Sequence, residues 1–148
     1  MEYTWSARVR GIGPQESIVY SRNQAFAVGA PASFRPADAH PSAVEYLLGA
    51  LGADLTGGFR GHAAREGVAV DALELVLSGR LANPLVYLGV VGETGSPGIA
   101  QIRGVLYVSA DADEPMLRAL WQTTLARSPL YHTLQPGVAL EFELRLIP

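Results

Sequence analysis

A chain of 148 residues fits one domain and is long enough to bury a core without staples. Its 49% apolar and 17% charged residues make a globular composition, and a net charge of −3 with no basic run argues against nucleic acid as a partner. It has no cysteine and all 11 of its cationic residues are arginine, which excludes disulfides, thiol mechanisms, lysine Schiff bases and Walker-type phosphate loops.

The lysine-free, arginine- and alanine-rich bias fits a GC-rich bacterial genome. The opening "MEYTWSARVR" has no charged-then-apolar leader. The most apolar window contains Glu45 and Asp54, and six glycines lie between Gly49 and Gly67, so a membrane span is not expected. The expected location is the cytoplasm.

Residues 3–9 alternate, with Tyr3, Trp5, Ala7 and Val9 on one side, which predicts a half-buried strand. "ESIVY" and "QAFAV" are shorter strands with "SRN" as the turn between them. "GAPASFRPADAHPS" reads as a loop. A long helix follows from Pro41, where proline suits the first turn, to near Gly67, with Val44, Leu47, Leu48, Leu51 and Leu55 at helical spacing. Its many small residues lower helix propensity and make sense if another backbone packs very close.

"VAVDALELVLSGRL" predicts a strand with Leu73, Leu75 and Leu77 on one face; "ANPLVYLGVVGETGSPG" predicts a turn-rich flexible loop; "IAQIRGVLYVSA" predicts another strand. Asp111 or Asp113 caps a helix whose apolar stripe is Leu117, Leu120, Trp121 and Leu125, and which stops before Ser128-Pro129. In the last strand, "VALEFELRLI", Val138, Leu140, Phe142, Leu144 and Leu146 point inward and Glu141, Glu143 and Arg145 outward. Strands, long helix, strands, helix, strand is an α+β order with mostly antiparallel sheets. Trp5 and Trp121 are expected in the core.

"HPSAVEYLLGALGADL", followed much later by "SPLYHTL" after a proline-started helix, resembles the OsmC/Ohr family (osmotically inducible protein C and organic hydroperoxide resistance proteins) from about Tyr3 to Ile147. The resemblance implies a single OsmC-like domain over 1–148, with antiparallel sheets wrapped around two long central helices in an intertwined homodimer. It would also explain the small residues, since central helices packed on each other need them. The family reduces organic hydroperoxides with two cysteines, in the response to oxidative stress. Here those positions carry Asp54 and Ser128, neither of which passes through a sulfenic acid to a disulfide, so the peroxidase activity does not carry over. Glu45 matches the helix glutamate of one branch of the family, and Arg10 loosely matches its hairpin arginine.

Disulfide partners have Cβ atoms about 4 Å apart, so family geometry would let the Ser128 hydroxyl bond the Asp54 carboxylate. That answers why an apolar helix carries an aspartate, because an unpartnered buried carboxylate costs several kcal/mol, on the order of 5, or stays protonated. The plainest reading is a satisfied polar pair standing where a redox pair stood. The functional reading expected here is a dimer-interface pocket that binds a small, partly apolar molecule, with Asp54 and Ser128 as the candidate catalytic pair and Glu45, Arg10, Tyr131 and His132 as binding residues. The alternatives are a hydrolase or lyase with Asp54 as general base, and a structural or partner-binding paralogue with a vestigial site.

A Ser128-His132-Asp54 triad lacks a nucleophile elbow, and direct Asp54–Ser128 contact is the wrong order for one. His40, His62 and His132 are scattered, so no metal is expected. "TGGFRG" lacks the lysine and preceding strand of a phosphate loop, and no cofactor is expected.

Overall fold

The computed structural model describes residues 2–148. They fall into two compact units, one ending at Gly49 and one running from Ala50 to Pro148.

In the first unit β1 (Arg8–Gly11), β2 (Ser17–Ser21) and β3 (Gln24–Val28) form an antiparallel sheet in chain order. Ser21 pairs with Gln24, so the turn is Arg22-Asn23, with Arg22 at φ 51°. The expected strand over 3–9 is corrected to a later and shorter one. Tyr3 and Trp5 are 75% and 83% exposed, so Trp5 is not in the core. Alternation makes a strand only where a partner exists: Arg8 pairs with Tyr20, and β2 turns into β3 directly after Ser21.

Helix α1 (Ala43–Arg65) begins in this unit and continues into the next. It starts on a capping box. Glu45 N–H donates to Ser42 Oγ at 3.2 Å, and Glu45 Oε1 accepts from Ser42 N–H at 3.0 Å and from the Ser42 hydroxyl at 2.9 Å. Tyr46 then donates its hydroxyl to the Ala27 carbonyl at 2.7 Å, with its ring 5.1 Å from that of Phe26. The helix ends in a Schellman motif: Val68 N–H reaches Ala63 O and Gly67 N–H reaches Ala64 O, with Gly67 at φ +71°.

These donors hold the Glu45 carboxyl below its usual value of 4.5, the Ser42 main-chain N–H contributing most and the Ser42 hydroxyl next. A folded-state pKa below the unfolded one stabilises above the unfolded pKa and loses that stabilisation as pH falls through the folded pKa. Urea midpoints of the native protein and of Glu45→Gln, taken from pH 7 to 3, should therefore converge below about 4.5. A constant difference across that window would contradict the capping role.

In the second unit β4 (Val70–Leu81), β5 (Ile99–Ala110) and β6 (Ala139–Leu146) form a sheet in chain order. β4 and β5 are antiparallel. β5 and β6 are parallel, because α3 (Glu114–Arg127) and α4 (Pro129–Leu134) carry the chain back between them. Asp113, rather than Asp111, caps α3, its side chain accepting from Met116 N–H at 3.0 Å. Val138 lies just outside β6. The segment between β4 and β5 is organised rather than a plain loop. Asn83 caps a one-turn helix, α2 (Pro84–Tyr87), and its amide bonds Glu93 and the Thr94 carbonyl.

The core is the inward side of this sheet with α1 and α3. Leu51, Leu55, Phe59, Ile102, Leu106, Val108, Leu117, Leu120, Trp121 and Leu144 are all buried. Trp121 meets Phe142 edge-on at 6.0 Å. Close approach explains two of the helix glycines. A Cβ on Gly52 would stand 3.1 Å from Leu77, and one on Gly58 would stand 3.4 Å from Thr124. A Cβ on Gly49, Gly57 or Gly61 would meet nothing within 4 Å among the described residues outside the helix's own backbone.

Candidate functional site

Asp54 lies on α1 between buried Leu51 and Leu55, and is itself half-buried. Ser128 is fixed from the other side. Proline at 129 disfavours helical backbone at the residue before it, and Ser128 takes φ −76°, ψ 120°. That extended residue ends α3 and caps α4 in one step, and it is only 3% exposed.

The hydroxyl–carboxylate bond expected from the resemblance is present. Ser128 Oγ donates to Asp54 Oδ2 at 2.8 Å. The same carboxylate oxygen accepts Leu130 N–H at 3.0 Å, and Ser128 Oγ accepts Tyr131 N–H at 3.0 Å. Asp54 thus satisfies α4 directly and through Ser128. Among the described residues, no buried side-chain nitrogen or oxygen lacks a partner.

The other four residues divide. Tyr131 joins the pair through its main chain, while its ring lies 6.1 Å from that of Phe142 and 5.9 Å from His132. His132 is exposed, and its Nε2 is 2.9 Å from the Ala126 carbonyl oxygen. The triad order is absent, since the Ser128 hydroxyl is spent on Asp54 and the imidazole faces the main chain. Glu45 and Arg10 belong to the first unit. Glu45 is engaged by Ser42, and Arg10 lies exposed on β1 opposite Ile18.

An open groove of about 620 Å³ lies along β6, an edge strand of its sheet. Leu125, Tyr131, Leu140 and Phe142 make its apolar side, and Arg103, Glu141 and Glu143 its polar side. Arg103 and Glu141 pair at 3.1 Å, and Arg145 beside Glu143 holds that carboxyl below its usual range. Among the described residues, no group of three His, Asp or Glu side chains is placed to hold a metal ion. No helix there is long and apolar enough to cross a membrane.

Sequence reasoning missed α4 and the capping of α1. Ser42-x-x-Glu45 is a capping-box pattern, and Ser-Pro at 128–129 is an N-cap followed by proline at the first helical position, so both signals were in the letters. Ser128-Pro129 marks a helix start as well as a helix end.

Two three-stranded sheets, two long helices, and an Asp–Ser pair joining the first helix to the end of the second define an α+β protein without thiols. The family model described as OsmC-like protein matches residues 36–143, and the chain belongs to that family. No curated protein matches it. Among solved structures it is similar to an OsmC-like protein from Mycoplasma pneumoniae, at 14% identity over 100% of both chains with a TM-score of 0.82. An organic hydroperoxide resistance protein OsmC from Legionella pneumophila gives 10% identity over 96% of each chain and a TM-score of 0.71. OhrB of Bacillus subtilis gives 15% identity, 95% coverage of this chain and 98% of that one, and a TM-score of 0.66. At such identities the likeness is one of fold, and it extends along the chain.

Proposed function

We propose that this is an OsmC-like protein without thiol peroxidase chemistry, which binds a small, partly apolar molecule in the groove along β6. The carrying observation is the groove itself, whose apolar side includes Tyr131 and Phe142 and whose rim is polar. A mixed lining of this kind suits a ligand with an aliphatic or aromatic body and one polar group. Asp54 and Ser128 serve the groove by locking the first turn of α4, the helix that carries Tyr131. Glu45 serves the capping of α1 rather than the ligand, and Arg10 stands exposed on β1. We take the chain to work as one domain in the cytoplasm and as a homodimer. The exposed small residues Ala53, Gly57 and Gly61 on α1 support close approach of a second copy.

A second reading, Asp54 as the general base of a hydrolase or lyase, is disfavoured by how fully its Oδ2 is committed to Ser128 and Leu130. A native mass spectrum of protein purified without added ligand tests the proposal. The expected result is a dimer carrying a discrete extra mass that Tyr131→Ala and Leu125→Asp each remove. Bare protein that also gains no thermal stability across a panel of amphipathic carboxylates, alcohols and amides would count against it. Consumption of hydroperoxide with a dithiol by pure protein would refute the loss of peroxidase chemistry.

A further inference from the structure

We propose a second site, for a phosphate dianion, on the outward face of the β4–β5 hairpin. It adjoins the groove along β6, with which it shares Arg103, but draws Ser78 and Arg80 from β4. On this hairpin Leu77 and Leu81 alternate with Ser78 and Arg80, and Ile102 and Gly104 alternate with Gln101 and Arg103. The register places Ser78 opposite Arg103 and Arg80 opposite Gln101. The two arginines are therefore diagonal neighbours on one face, about 7–8 Å apart at the backbone. All four outward residues line one open depression of about 430 Å³.

Two features make this a site rather than a solvated face. Arg80 has no ion pair and no side-chain hydrogen bond among the described residues. Arg103 has one, to Glu141 at 3.1 Å, and those side chains are 66% and 57% exposed, so an incoming anion displaces a weak, screened partner. Two guanidinium forks, a hydroxyl and an amide around one depression present donors to several oxygens of one tetrahedral dianion once Arg103 turns from Glu141. A monoanionic carboxylate satisfies only one fork. The shared chemistry is a phosphate monoester, carried on a soluble molecule or a lipid headgroup.

The test is a titration of the folded protein with inorganic phosphate at constant ionic strength, followed through the arginine Nε–Hε resonances. Saturable shifts of Arg80 and Arg103 are expected, tightening as pH rises from 6 to 8 and the dianion forms. Arg80→Ala and Arg103→Ala should each weaken binding about tenfold, and Glu141→Gln should tighten it about twofold by removing the competing carboxylate. All three sites are exposed, so the variants keep the fold, which circular dichroism checks. Shifts that never saturate, that chloride reproduces, or that survive both alanine variants would overturn the proposal. Co-sedimentation with phosphatidylcholine vesicles containing phosphatidic acid separates the sources: Arg80-dependent pelleting assigns a lipid headgroup, and protein left in the supernatant while phosphate saturates it assigns a soluble ester.

Discussion

Asp54→Ala is expected to lower the unfolding free energy by about 3 kcal/mol, because it leaves two donors without an acceptor. Ser128 Oγ and Leu130 N–H both end on Asp54 Oδ2, and Ser128 is too buried for water to replace the carboxylate freely. Hydrogen bonds to a charged acceptor are worth about 1.5–3 kcal/mol each, and the two share one oxygen, so the total lies near the lower sum. Against a whole-domain stability of about 5–15 kcal/mol this is a large effect. Asp54→Asn keeps an oxygen in place and should cost only about 1 kcal/mol. Ser128→Ala removes a donor and the α4 cap together, for about 1–2 kcal/mol. The double variant Asp54→Ala/Ser128→Ala should cost less than the sum of the singles, since each already breaks the shared bond. Urea unfolding of the native protein and the four variants measures this. An Asp54→Ala midpoint equal to the native one would mean that the pair is incidental to the fold.

The second large effect is at Gly104. Its Cα faces inward in the middle of β5, and an added Cβ would lie 2.6 Å from Leu77 Cδ2 and 2.7 Å from two ring carbons of Phe142. Leu77 can rotate away. Phe142 has less freedom, because Trp121 meets its ring edge-on and Tyr131 tilts against its flank. Overpacking of this kind costs about 1–3 kcal/mol, and the position between two neighbours puts Gly104→Ala toward the upper end. The displaced Phe142 also forms a wall of the groove, so the variant should lose ligand mass in the native spectrum while remaining folded. Phe142→Leu in the Gly104→Ala background should recover part of the stability. A Gly104→Ala protein as stable as the native one would contradict the packing described.

Periodicity carried the long elements. Leu140, Phe142 and Leu144 alternate with charged residues, and along β6 the structure buries Leu144, half-buries Leu140 and Phe142 and exposes Glu141, Glu143 and Arg145, although Leu146 at the strand's end is exposed rather than inward. Leu117, Leu120 and Trp121 make the buried stripe of α3 at the expected spacing. These elements are legible because each buries one face, and burial imposes a period of two or 3.6 on the letters. The same rule failed over 3–7. There the alternation is present but no strand pairs with it, and pairing is a property of two segments, not one. It also could not tell that β6 lies parallel to β5, because alternation is the same for either direction.

For the candidate site the division is similar. Composition alone removed thiol chemistry, because an absent side chain cannot be supplied by folding. The letters also held both helix caps, since capping is decided within four residues of chain. Only the tertiary structure decided that Asp54 Oδ2 takes both Ser128 and Leu130, and that His132 turns to the main chain instead. Only the register of β4 on β5 brought Arg80 and Arg103 to one depression. Local preferences are set by each residue and its near neighbours. Partners 74 positions apart meet only once the core has fixed the helices and strands that carry them.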